Sequence, residues 1–170
     1  MIIGNRIVLR AWEEDDLPLL YALRNNFHIQ QQLMARPRSN SMTQVREWLS
    51  RRSSESQSVF FVIAEKSTGC AVGFVQAVAI DQVNGTTRLG ICVMPDKQGK
   101  GFASEACRML FPYLRETYNL RKLCLEVLAH NEGAIFLYRR LGFKEVGCMH
   151  AHYFLNQKYE DVLLMEKFID

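Results

Sequence analysis

Apolar residues gather in short runs separated by polar and glycine-containing stretches, and the period of each run predicts its element. Arg6-Ile7-Val8-Leu9-Arg10 reads as a strand, and Asp15-Asp16 with Pro18 at an early helical position opens a helix to about Arg24. The stretch from Gln30 to Arg38 reads as a loop, and Ser41-Met42-Thr43-Gln44 spells a capping box for a second helix through Trp48 and Leu49. Val59 to Lys66 and Cys70 to Ile80 form two strands joined at Ser67-Thr68-Gly69, a hairpin signal. Leu89 to Val93 is a buried strand closed by Pro95, and beyond it Ala103, Ala106, Met109, Leu110, Tyr113 and Leu114 recur at helical spacing. A strand around Leu123–Leu128, a helix from Asn131 and a hairpin turning near Asn156-Gln157 complete the order. No repeat, low-complexity tract or linker interrupts it, so the pattern predicts a mixed α/β layer fold in a single domain, residues 1–170.

The first chemistry appears where strand gives way to helix, at Gln98-Gly99-Lys100-Gly101-Phe102-Ala103. Two glycines let the main chain approach a ligand, and the free N–H groups of a first helical turn favour a pyrophosphate. Lys100 can add a point charge. A nucleoside-triphosphate loop needs a hydroxyl residue after the lysine, but Gly101 stands there. A dinucleotide fingerprint needs a third glycine where this chain has Ser104.

The segment instead resembles the acyl-CoA loop of the GCN5-related N-acetyltransferase (GNAT) superfamily, [QR]-x-x-G-x-[GA], with Gln98, Gly101 and Ala103 in the specified places. One strand-helix unit downstream, Asn131, Ala134, Tyr138, Gly142 and Phe143 match the family's N-x-x-A-x-x-x-Y-x-x-x-G-F signature at every specified position. The resemblance runs from Arg6 to the end of the chain. It is nearest the branch of spermidine, ribosomal-protein-alanine and amino-sugar acetyltransferases. It implies the GNAT fold: a central, mostly antiparallel sheet splayed between its fourth and fifth strands and flanked by about four helices. It also implies acetyl-CoA as acetyl donor, no metal, and assembly into a dimer or higher homo-oligomer.

Composition and charge narrow the partners. The excess of 21 Lys+Arg over 18 Asp+Glu leaves a net charge of only +3, carried in short clusters such as Arg51-Arg52 and Arg139-Arg140 rather than in one stripe. No nucleic-acid partner is expected. The N-terminus Met1-Ile2-Ile3-Gly4-Asn5-Arg6 lacks a basic start followed by a long apolar run, so neither a secretory signal nor a membrane anchor is expected. Five scattered cysteines, with no C-x-x-C pair, suit a reducing cytoplasm. His28, His130, His150 and His152 form no convincing ligand set; His150 and His152 share one face of a predicted strand and could bind metal, but they read first as surface or substrate-side histidines.

Acetyl transfer from a thioester to an amine needs a neutral amine, a stabilised oxyanion and a proton for the departing thiolate. The resemblance assigns that proton to Tyr138, a phenol protonated at neutral pH; packing at the edge of its helix is the structural alternative. By position, the backbone of Ile91, Cys92 and Val93 would bind the pantetheine arm as a substitute strand, and the same residues also read simply as a buried strand. Cys92 need not be a nucleophile, since direct transfer requires no acyl-enzyme. Many relatives place a glutamate on the fourth strand, where this chain has Arg88-Leu89-Gly90. Glu126, on the face opposite Leu125 and Val127, is the replacement as base, with a buried structural glutamate as the alternative. Asn131 caps its helix and can touch the cofactor arm.

The acceptor is a primary amine of a small molecule. Arg36 and Arg38 would repel a polyamine if they face the pocket and would suit a nucleotide-linked amino sugar or an acidic peptide; a merely solvated loop is the simpler alternative. A polyamine or a protein N-terminus stays open, as does a non-catalytic acyl-CoA sensor, against which Tyr138 argues.

Overall fold

A computed structural model describes residues 1–169; Asp170 lies outside the described residues. Eight strands form one sheet: β1 (Ile2–Ile3), β2 (Ile7–Arg10), β3 (Val59–Glu65), β4 (Ala71–Asp81), β5 (Thr86–Val93), β6 (Lys122–Leu128), β7 (Lys144–Leu155) and β8 (Lys158–Phe168). Their spatial order is β1-β2-β3-β4-β5-β6-β8-β7, antiparallel except for the β5–β6 pair. Five α-helices flank the sheet: α1 (Leu17–Asn25), α2 (Phe27–Gln32), α3 (Met42–Ser54), α4 (Phe102–Tyr118) and α5 (Glu132–Arg140).

Two apolar layers hold these elements. On one face, Leu89, Val93, Leu123, Leu125 and Val127 pack with Leu110 and Leu114 of α4 and Ile135 of α5. On the other, Phe60, Val62, Phe74 and Cys92 meet Leu20, Leu23, Val45 and Leu49 of α1 and α3. The alternation of buried residues along β6 decides which side chain faces which layer, so Glu126 points away from the α4–α5 side.

The expected fold is present with three corrections. The chain has five helices rather than about four, because Phe27–Gln32 is helical: Asn26 caps it by accepting a hydrogen bond from the Ile29 N–H at 3.1 Å. Six residues with three consecutive glutamines carry no apolar period, which is why this segment read as loop. Gln30 is buried rather than in an open loop, and its amide braces the true loop by bonding the Arg38 N–H and C=O, each at 3.0 Å. Second, β1 adds a strand before the expected first one, so the splay lies between the fifth and sixth strands. Third, β5 starts at Thr86, and the polar residues Thr86, Thr87 and Arg88 omitted from the expected strand are the ones that pair with β6.

Other local expectations hold. Ser41 and Gln44 form the reciprocal capping box at α3. The last hairpin turns at Asn156 and Gln157, both with positive φ (50° and 64°), as a two-residue turn compatible with strand twist requires. No helix among the described residues is long and apolar enough to cross a membrane.

One buried ion pair ties β2 to the start of α1. Arg10 donates to both oxygens of Asp16 at 2.7 and 2.9 Å, and Asp16 also accepts the Glu13 N–H at 2.8 Å. Asp16 is 4% exposed, so removing it strands a guanidinium in the protein. Asp16→Ala is expected to lower unfolding free energy by about 3 kcal/mol, read from urea denaturation with the slope unchanged.

Candidate functional site

β5 and β6 run side by side only at Thr86–Lys122, Thr87–Leu123 and Arg88–Cys124. Beyond Arg88, β5 continues to Val93 bonded to β4 alone, and β6 continues to Leu128 bonded to β8 alone. The facing sides of Leu89–Val93 and Leu125–Leu128 are therefore without a neighbouring strand. Ile91, Cys92 and Val93 lie on this open side, and unmet main-chain groups there need a partner of extended form.

The glycine loop sits at the end of that gap. Gly99 and Gly101 have φ of 72° and 84°, in the left-handed region. The Gln98 side chain donates to the Val93 carbonyl at 3.0 Å, fastening the loop to the end of β5. No side chain caps α4, whose N-cap is Gly101, so the first-turn N–H groups, including those of Phe102 and Ala103, remain available to an anion. Only the main chain of Phe102 can serve there, since its ring is buried in the core. Lys100 is exposed, and its carbonyl accepts from Arg6 at 2.8 Å. Arg6, also paired with Glu105 at 3.3 Å, adds a positive charge to the loop that the sequence reading missed. It belongs to the chain's other end, and only the packing of α4 against β2 brings it here.

Tyr138 is buried at 8% exposure, with its ring edge-on to Phe143 at 5.7 Å. It packs within the α4–α5 layer rather than at the edge of its helix. Burial, with Cys107 and then Cys92 close by, pushes its phenol well above the ordinary value. Burial also pushes the thiols of Cys92 and Cys107 up to about 12. Both are thereby kept as thiols, as expected of Cys92.

Glu126 lies two residues past the last β5–β6 pair, half-buried, with Arg88 Nη1 3.5 Å from its carboxylate. The two border a cavity of about 200 Å³ that Val146 and Leu164 also line. A larger cleft of 430 Å³ lies on the far flank of α4, around Phe111 and Lys167, and contains none of the motif residues. Asn131 accepts the Ala134 N–H at 3.2 Å, the cap expected of it. The structure thus gathers the glycine loop, the open strands and Tyr138 at one gap, with Glu126 on the opposite face of β6.

Residues 6–144 match the family model of the acetyltransferase (GNAT) domain. The chain belongs to that family. It is an acyltransferase, an N-acetyltransferase that uses acetyl-CoA, so the non-catalytic sensor is set aside. Its similarity to spermidine N(1)-acetyltransferase of Vibrio cholerae is 28% identity over 163 residues, covering 96% of this chain and 93% of that protein. The crystal structure of spermidine N-acetyltransferase from the same organism, in complex with CoA and spermine, superposes with a TM-score of 0.88 at 28% identity, covering 96% of each chain. A structure described as the dodecameric form of that enzyme gives 0.80 at 28% identity, covering 96% of this chain and 94% of that one.

Two outcomes follow. Gly101→Ala puts a Cβ 2.8 Å from Arg6 Nη2 at a left-handed φ, and is expected to weaken CoA binding about tenfold or more by calorimetry. In the folded protein an alkylating reagent at pH 8 should label exposed Cys70 and Cys148 fast, and Cys92 and Cys107 at least about a hundredfold more slowly by peptide mass spectrometry.

Proposed function

We propose that this acetyltransferase passes the acetyl group directly from CoA to a primary amine across the gap between β5 and β6, with Tyr138 as acid and Glu126 as base. The carrying observation is the parting of the strands after Arg88, with the glycine loop at the end of β5 and Tyr138 beside it. The pyrophosphate binds Gln98, Gly99, Lys100, Gly101, Phe102 and Ala103, mainly through the main chain, with Arg6 adding charge. The pantetheine arm lies along Ile91, Cys92 and Val93 and reaches past Asn131.

The amine approaches from the Glu126 face. Its nitrogen attacks the thioester carbon, the C–S bond breaks, and the nitrogen's surplus proton leaves to Glu126 directly or through water. The departing thiolate takes its proton from Tyr138. Burial holds the Tyr138 phenol protonated, so its proton is in place when the thiolate departs.

The relatives reverse the order of the acceptor expectations: a polyamine now stands ahead of a nucleotide-linked amino sugar, because the relatives similar over nearly the full chain include spermidine acetyltransferases. A specific observation keeps the anionic acceptor as second reading. Arg24 is half-buried over the Trp48 ring at 4.5 Å, and its Nε has no hydrogen-bond partner among the described residues. Burial, then the charges of Arg38 and Arg52, lower its pKa. An uncompensated cation beside Arg38 disfavours a polycation and suits a phosphate. Assembly with further copies, as the dodecameric relative suggests, would use the exposed edge strand β7, with Val146 and Phe154 at its surface.

The test is a mass-spectrometric transfer assay with acetyl-CoA, spermidine and nucleotide-linked amino sugars. Acetylspermidine is the expected product, and Tyr138→Phe should lower kcat about a hundredfold or more with CoA affinity unchanged. Acetylated amino sugar alone would establish the second reading, and full activity in Tyr138→Phe would remove the tyrosine from the chemistry.

A further inference from the structure

Away from the gap, a thiol, an imidazole and a carboxylate meet on the outer hairpin. Cys148 and His150 are two residues apart on β7, and Asp161 stands on β8; one ligand atom from each lies within 4.8 Å of the others. The Cys148 Sγ is 3.7 Å from His150 Nδ1, and Asp161 Oδ2 is 3.3 Å from the same nitrogen.

That shared nitrogen decides what the cluster can do. In a nucleophilic relay the thiol and the carboxylate engage opposite nitrogens of the ring, so a proton taken on one side is balanced on the other. Here both face Nδ1, and the ring cannot relay between them. Three donor atoms converging on a common point are instead the arrangement that a cation fills. We propose that Cys148 Sγ, His150 Nδ1 and Asp161 Oδ2 form a binding site for a divalent ion of the zinc class, with water in the fourth position.

The ligand chemistry selects the ion. A thiolate with an imidazole favours zinc over magnesium or calcium, which take oxygen ligands. A thiolate and a carboxylate together balance a doubly charged ion. Binding replaces the thiol proton, which leaves to solvent, and no other bond changes.

The carboxylate is oriented in advance. Asp161 Oδ1 accepts the Ala151 N–H at 2.7 Å, which leaves Oδ2 turned toward His150. The carboxylate can then offer Oδ2 as an acceptor without turning. The hairpin register shifts between Met149 and Tyr153, and Ala151 has a φ of 47°. Such a bulge re-aims side chains. It also breaks the alternation that placed His150 and His152 on one face, and His152 is outside the cluster.

The site is not remote from the reaction in the chain's wiring. The Asp161 carbonyl accepts the Ala129 N–H at 2.9 Å, just before Asn131, and Tyr153 beyond the bulge donates to the Ala35 carbonyl at 3.1 Å. An ion at the bulge would fasten the segment that joins the hairpin to the loop of Arg36 and Arg38.

Titration of the full chain with Co²⁺, followed by absorption, tests this. One equivalent should give the thiolate-to-cobalt band in the near ultraviolet together with the visible bands of a four-coordinate ion, and Zn²⁺ should displace both. Cys148→Ser should abolish the near-ultraviolet band, while His150→Ala and Asp161→Asn should each raise the Kd about tenfold or more. Cys70→Ser, which removes the other exposed thiol, should leave the spectrum unchanged. Circular dichroism of each variant checks that the fold is retained. Absence of the thiolate band in the wild type, or its persistence in Cys148→Ser, would overturn the proposal.

Discussion

The structure depends on a sheet joint that is deliberately short. Three residue pairs join β5 to β6, and past Arg88 each strand is held only from its outer side, β5 by β4 and β6 by β8. Backbone donors and acceptors left without partners are costly away from water, so a gap of this kind persists only where the rest of the fold holds its walls. The walls here are the two apolar layers, one under α4 and α5 and one under α1 and α3. The gap is thereby fixed in shape, and a ligand with its own amides can complete the sheet.

The two faces of that gap differ in chemistry because strand alternation separates them. On the α4–α5 side the environment is apolar, so the Cys107 thiol and the Tyr138 phenol keep their protons. On the opposite side Glu126 and Arg88 form an ion pair at the border of a small cavity whose walls are otherwise apolar. In the proposed mechanism an acyl group held between the strands has Tyr138 on one side and the Glu126–Arg88 pair on the other, the separation of acid and base that acyl transfer to an amine uses.

Much of this was legible in the sequence, for identifiable reasons. The glycine loop, Asn131 and Tyr138 were found because local backbone needs and a fixed spacing leave a short linear trace. The capping box at Ser41 and the turn at Asn156-Gln157 left equally local traces. What was missed depends on distance in the chain or on weak periodicity. Arg6 reaches the glycine loop only through tertiary packing, α2 hides behind three glutamines, and the start of β5 has no apolar residue to announce it, its buried position being filled by Thr87. The orphaned Arg24 guanidinium is likewise visible only once Trp48 is seen beneath it.

The central claim is that the cofactor arm takes the place of a missing strand between β5 and β6. Amide hydrogen exchange, resolved by residue with and without CoA, tests it most directly. The account predicts that CoA slows exchange at those amides of Leu89–Val93 not bonded to β4, and at Phe102 and Ala103 in the first turn of α4, by about tenfold or more at saturating ligand. Protection confined to the larger cleft beside Phe111 and Lys167, with Leu89–Val93 unchanged, would contradict it.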